Sequence, residues 1–298
     1  MTSPIHARDI KGKGRYYGAC GESCPLGDQL LISVTNAQSV VNKPALPPSA
    51  AKVTAETAWQ LLPQMVATSR QPDHGGNGCD RARVADRCGR CRFCITARIK
   101  AEYKAQWETK AELGTRIHAA AHAHVLGQPR VYDETVEPFL HQYLAFLDAW
   151  GVDLENDVEA AELTVFDRKK GYAGTGDLWV WLRIGGKRQL ILVDIKTSVN
   201  KPVTQIYAEQ ELQLAGLRYA PTALLPDDSE VQVPKFDGAA ILNLRSDAHA
   251  LIPMTAGRDA YRAFLGAVVL QTHFHNQDLK AWTPVDAPVI PEPTRKAS

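Results

Sequence analysis

The chain has 298 residues, enough for one large or two modest domains, and its 45% hydrophobic and 22% charged residues can build an ordinary buried core. Lys and Arg number 34 against 33 acids, a net charge of +1, which excludes a polyanion-coating protein that works by bulk charge and leaves only a local basic patch. No apolar run approaches the ~18 residues of a membrane span, and MTSPIHARDIKGKGR has charge with no apolar stretch behind it, so neither membrane insertion nor a secretory signal is expected.

Residues 1–30 are polar and Gly-rich and read as a loose, flexible segment. LLISVTNAQSVVNKPAL (30–46) reads as a short strand or turn entering a helix, with Thr35 or Asn36 as its N-cap. Residues 53–68 read as helical. DHGGNGCDRARVADRCGRCRFC (73–94) carries Gly and Cys where periodicity should be, so an insert is expected at 73–96. An Ala-, Lys- and Glu-rich helix follows to about Gly127, and another over 134–149 stops at Gly151. The character then changes: AELTVFD (161–167), GDLWVWLRI (176–184) and RQLILVDI (188–195) are strand-like, with Gly185-Gly186 suited to a tight hairpin. A helix is expected from Pro202 to Ala220, a buried strand at 239–244 and a last helix at 256–274. The expectation is one domain over 31–280, α/β or α+β, with a Pro-rich tail at 281–298.

The hairpin fixes a register. If Gly185-Gly186 is its two-residue loop, Ile184 faces Lys187 and Asp177 falls opposite Asp194, about 5 Å away. Lys196 lies two residues beyond Asp194, on the same face. If Arg168–Gly171 is a four-residue loop, Glu162 falls opposite Asp177, and three carboxylates line up across three strands. Facing like charges destabilise a sheet. A hard divalent cation with oxygen ligands offsets them, and a nearby Lys can orient a water or neutralise charge during phosphoryl transfer. His118 and His122, at i,i+4, are a zinc alternative, but no HExxH glutamate accompanies them.

Asp177…Asp194-Ile195-Lys196-Thr197 resembles the PD-(D/E)XK nuclease core, in the branch shared by RecB-type nuclease domains and phage exonucleases. Gly114-Thr115-Arg116-Ile117-His118 resembles that family's helical Gly–His motif, and Glu162 the acid of its first core strand. Gly174-Thr175-Gly176-Asp177 is similar to its Gly–Asp turn, and Gln213 in ELQLAGLRYA to the Gln of its following helix. SVTNAQSVVNKPAL (33–46) is similar to the N-terminal segment of phage-type members, so the resemblance covers roughly residues 30–225. Where the family often has Tyr four residues after the helix Gln, this chain has Leu217, with Tyr219 nearby. The resemblance implies a restriction-endonuclease-like α/β core, a mixed central sheet flanked by helices. It also implies that His118, Asp177 and Asp194 hold Mg²⁺ or Mn²⁺, that Lys196 is catalytic, that Glu162 binds metal or orders water, and that Gln213 positions the substrate phosphate.

Cys79-x8-Cys88-x2-Cys91-x2-Cys94 is a metal signal of two possible kinds. Three cysteines at successive x2 spacing are closer to a [4Fe–4S] run than to the paired ligands of zinc. Zn²⁺ is the alternative, with Cys20, Cys24 or His74 as partners for a Cys88/Cys91 pair. The related CRISPR-adaptation exonucleases carry iron–sulfur clusters that join one Cys before the core to three after it, whereas nothing follows Cys94 here. Residues 81–100 hold seven Arg or Lys against one Asp. Arg90 and Arg92 would contact a phosphate backbone, and Phe93 would stack on an unpaired base.

The function expected is a metal-dependent DNA exonuclease acting at single- or double-stranded ends in recombination, repair or replication. Its expected location is the cytoplasm, the host's if the chain is phage-encoded. An endonuclease on the same core and a non-hydrolytic DNA-binding recombination accessory protein are the alternatives. No GxxxxGK[ST] P-loop is present, so any helicase, like any recombinase partner, would act in trans.

Overall fold

The computed structural model describes residues 6–21, 24–69, 89, 91–129 and 132–285. The N-terminal segment is ordered by a few apolar anchors. Tyr16 and Tyr17 are buried and Leu26 is fully so. The chain therefore forms a hairpin, β1 (Ala7–Ile10) and β2 (Gly14–Tyr17), where a loose segment was expected. β3 (Leu31–Ser33) leads into the short α1 (Val34–Ala37). Its N-cap is Ser33, whose hydroxyl accepts the Asn36 N–H at 3.0 Å. Thr35 and Asn36 do not cap it: the Asn36 amide donates to the Lys13 and Arg15 carbonyls at 2.7 and 3.0 Å, pinning the hairpin to α1.

The region read as one helix over 53–68 is two, α2 (Leu46–Gln60) and α3 (Leu62–Ser69). Prolines 47 and 48 sit in the first turn of α2, where a missing N–H costs nothing, and Pro63 starts the second helix by breaking the first. The 34-residue α4 (Arg92–Val125) and α5 (Glu137–Ala149) follow. Then come β4 (Val158–Asp167), β5 (Tyr172–Ile184) and β6 (Lys187–Thr197), followed by α6 (Ala208–Arg218). The chain continues through β7 (Thr222–Leu224), β8 (Glu230–Gln232), β9 (Gly238–Leu244), β10 (His249–Met254) and α7 (Arg258–Asn276).

The strands form one mixed, mostly antiparallel sheet with helices against it. β5 is the hub. One edge pairs with β4 along most of its length; the other pairs with β6 from Leu178 to Ile184 and, in parallel, with β3 at Tyr172 and Ala173. The sheet extends from β4 to β7 and β8, from β3 to β2 and β1, and from β6 to parallel β9 and then β10.

β6 is buried on both faces, which is why its sequence is a nearly continuous apolar run. Leu190 and Leu192 enter a core with Leu214 and Leu217 of α6 and Phe264 and Val268 of α7. Ile191, Val193 and Ile195 enter a second core with Ile117 of α4 and Phe139, Tyr143 and Phe146 of α5. Each such side chain contributes roughly 1.5–3 kcal/mol by burial. Among the described residues, no helix is long and apolar enough to cross a membrane.

Candidate metal centre

Asp177 lies where β5 changes partners. β6 pairs with β5 from Leu178 onward, β3 pairs at residues 172 and 173, and the strands fork between them. On the departing strand, the Ile195 N–H donates to Asp177 Oδ2 at 2.6 Å instead of to a neighbouring carbonyl of β5. The fork thus opens a hole in the ladder, and a carboxylate fills it.

The register is the one that the two loops dictate. Gly185 and Gly186, at φ +57° and +78°, form the hairpin turn, and the pairing runs from Ile184↔Lys187 to Leu178↔Val193. One step further brings Asp177 level with Asp194. On the other edge, Ala161↔Leu178 and Leu163↔Gly176 bracket Glu162 opposite Asp177. Glu162 has φ +51°, and the alternation of faces slips at this pair: Ala160, Leu163 and Val165 all border the α6–α7 core, which strict alternation forbids. A left-handed non-glycine residue costs roughly 1–3 kcal/mol, strain of the kind that collects at functional sites.

Opposite the fork, α4 presents His118. Its Nδ1 is 3.5 Å from Asp177 Oδ1 and 3.8 Å from Glu162 Oε1. The three side chains offer one ligand atom each within a 4.8 Å span. Burial disfavours an imidazolium here, but Asp177 and Glu162 outweigh it and push the His118 pKa up to about 10. Burial also opposes ionisation of Asp177, yet His118, Lys196 and the Ile195 N–H hold its carboxyl below the usual range.

Asp194, at 2% exposure, belongs to an adjoining triangle. Gln213 Nε2 donates to Asp194 Oδ1 at 2.7 Å, Lys196 Nζ donates to Gln213 Oε1 at 3.1 Å, and Lys196 Nζ lies 2.6 Å from Asp194 Oδ2. That last contact is a short, buried ion pair. Burial raises the Asp194 pKa to about 6 despite Lys196, and the nearby Asp177 adds to the rise. Burial works against the Lys196 ammonium, but the two aspartates prevail and its pKa is raised.

One imidazole nitrogen and several carboxylate oxygens gathered in one place suit a hard divalent cation. His118, Asp177 and Asp194, the expected ligands, and Glu162, expected to bind metal or order water, all line one cleft. The tight set is His118, Glu162 and Asp177, because Gln213 and Lys196 engage the Asp194 carboxylate at the adjoining wall.

Both sets line one cleft of about 610 Å³. Thr115 of α4 and Thr175 of β5, both within the quoted motifs, line it too, as do Arg15 and Tyr17 of β2 and Lys110 of α4, which the sequence did not single out. Tyr17 Oη and Thr175 Oγ1 are 3.0 Å apart, tying the N-terminal hairpin to the cleft. Only the register of β1–β2, which no alternation announced, could have revealed Arg15 and Tyr17. Gly174-Thr175-Gly176-Asp177 is strand, not turn. Gly174 is there for space: a Cβ would stand 2.7 Å from Leu217 and 2.8 Å from Val34. Leu217 thus packs toward the cleft, while Tyr219 turns away to Tyr261, 5.2 Å between centroids, beneath Arg258. His122 lines the cleft outside the tight set.

Cys79, Cys88 and Arg90 lie outside the described residues. Cys91 and Cys94 are buried beside each other at the start of α4, and Arg92 and Phe93 are exposed on its first turn. Cys20 is joined to Cys24 by a disulfide, and Cys88 and His74 of the zinc alternative lie outside the described residues. No family model matches the sequence, and no curated protein matches it significantly.

Proposed function

We propose that the chain is a divalent-metal-dependent deoxyribonuclease on a PD-(D/E)XK-type core, acting as an exonuclease at DNA ends in recombination, repair or replication. The observation that carries the reading is the convergence, at one fork in the sheet, of the His118–Glu162–Asp177 set with the Asp194–Lys196–Gln213 triangle. His118, Glu162 and Asp177 would hold Mg²⁺ or Mn²⁺, with Asp194 at the adjoining wall. Such an ion supplies Lewis-acid polarisation of a phosphodiester and a water acidic enough to attack near neutral pH.

The chain's own groups do the rest. Gln213 fixes the Asp194 carboxylate with its amide N–H and accepts from the Lys196 ammonium with its oxygen, so both charges keep their positions without substrate. Lys196, the charged donor facing the cleft, orients a water or meets the negative charge that grows on the phosphate. His118 is a ligand only once its proton leaves, so the centre assembles with proton release.

A nucleic acid as substrate is supported by a second cleft, of about 540 Å³, that shares Lys110 and Lys196 with the first. It adds Lys43 and Lys201 for phosphates and Trp107 and Tyr207 for base stacking. The preference for ends rests on the phage-exonuclease order of the motifs. In this reading the Cys79–Cys94 insert is a metal-pinned module holding [4Fe–4S] or Zn²⁺, with Arg90, Arg92 and Phe93 toward DNA; the buried neighbours Cys91 and Cys94 are in keeping with it.

The test is nucleotide release from linear DNA with Mg²⁺ or EDTA, wild type against Lys196→Ala. Release that needs Mg²⁺ and falls by about 100-fold or more in the variant is expected. Release unaffected by EDTA, or none with either Mg²⁺ or Mn²⁺, overturns the reading.

A further inference from the structure

Away from the cleft, the N-terminal hairpin carries a second group of metal-ligand side chains. His6 Nδ1 is 3.3 Å from Cys20 Sγ, Cys20 is bonded to Cys24, and each of the three offers one ligand atom within a 4.8 Å span. The other ring nitrogen of His6 is 2.7 Å from Asp228 Oδ1, in the turn between β7 and β8. A carboxylate on one imidazole nitrogen holds the proton there and leaves the other nitrogen bare, which is how metal-ligating histidines are oriented. Here the nitrogen away from Asp228 faces sulfur.

The backbone is bent to make this junction. Among the described residues five non-glycine residues have positive φ, and three of them are His6 at +70°, Ala19 at +48° and Asp228 at +67°. A fourth is Glu162, at the other cluster. Backbone hydrogen bonds draw the ends of the stretch 19–27 together: the Ala19 N–H donates to the Gly27 carbonyl, the Cys24 N–H to that of Gly21, and the Gly27 N–H to that of Cys24. The three-residue gap between Cys20 and Cys24 lies within the usual spacing of zinc-binding cysteine pairs.

We propose that His6, Cys20 and Cys24 form a second metal site, for a thiophilic divalent ion of the zinc type, which clamps the N-terminal hairpin to the β7–β8 turn. The disulfide is its oxidised, metal-free state. A dithiol reductant breaks the S–S bond by giving up two electrons and two protons and becomes a disulfide itself. Each thiol then loses its proton as the ion binds, and the ion stays divalent. Cys20, exposed at the surface, leaves the fourth position to solvent. The site is independent of the nuclease reading, since none of its residues lines the cleft.

The experiment counts Co²⁺ bound per chain in full-length protein that has been reduced and stripped of metal, with the thiolate-to-cobalt absorption as a second readout. Because the other four cysteines also bind metal in the reading above, the comparison is of wild type with Cys20→Ser/Cys24→Ser and with Asp228→Asn. Reduced wild type should bind one equivalent more than the double variant. Asp228→Asn, an exposed change that spares the three ligands, should weaken that equivalent by 10–100-fold. If reduction frees the Cys20 and Cys24 thiols and no further equivalent binds, the pair is a plain disulfide staple and the proposal fails. Equal binding by wild type and Asp228→Asn, together with equal binding by the double variant, overturns it as well.

Discussion

In the metal-free fold Asp177 and Glu162 favour the protonated His118 ring, and this fixes how the proposed centre would respond to pH. The His118 pKa rises from 6.5 to about 10 on folding. The protonated ring therefore stabilises the metal-free fold fully below pH 6.5, and that contribution is lost as pH rises through about 10. Asp194, raised from 3.8 to about 6, acts in the same direction: its contribution is present below pH 3.8 and lost as pH passes about 6. Metal-free protein should thus be more resistant to urea at about pH 6 than at about pH 9, and added Mg²⁺ should narrow the difference. Near pH 7 ion binding should release a proton, and affinity should rise with pH. Calorimetry in two buffers of different ionisation enthalpy measures this. Heats that are the same in both buffers would mean that His118 does not give up its proton to the ion.

Among elements, the β4–β5–β6 unit shows most directly what the sequence carries. The Gly185-Gly186 turn and the Arg168–Gly171 loop each set a register, and both registers are found. What local pattern did not carry was the fork. It depends on β3 taking the edge of β5 that β6 has left, a pairing between residues 32–33 and 172–173. Nor does any local propensity of Glu announce the left-handed backbone of Glu162 within β4.

Two substitutions measure these features. Glu162→Gly relieves the backbone but loses the contact with His118, whereas Glu162→Ala loses the contact and keeps the strain. The Ala variant should be the less stable by about 1 kcal/mol in urea denaturation, with divalent-ion binding weakened in both. Equal stability would mean that φ at 162 stores no strain. Gly174→Ala should cost about 1–3 kcal/mol because its Cβ meets Leu217 and Val34. Combined with Leu217→Ala, the loss should be smaller than the sum of the two. Additive losses would contradict the close approach.

For the whole molecule, the central strands and flanking helices were legible, while the edges were not. β1, β2, β7 and β8 are strands of three or four residues, too short to show alternation, and β10 contains Pro253. The candidate site was legible as a set of residues: His118, Glu162, Asp177, Asp194, Lys196 and Gln213 all line or adjoin one cleft. Its division into the His118–Glu162–Asp177 group and a Lys–Asp–Gln triangle was not, because it depends on α6 placing Gln213 against Asp194. The contribution of Arg15 and Tyr17 was invisible for the same reason as the hairpin that bears them.

The measurement that tests the central claim most directly compares wild type with Asp194→Ala on end-labelled linear DNA and on a closed circle of the same sequence, with Mg²⁺ or EDTA. Loss of the linear DNA alone, requiring both Mg²⁺ and Asp194, is the expected result. Cutting of the circle would keep the metal chemistry and replace the exonuclease reading with an endonuclease. Wild type and variant equally inert with Mg²⁺ and with Mn²⁺ would contradict the nuclease reading itself.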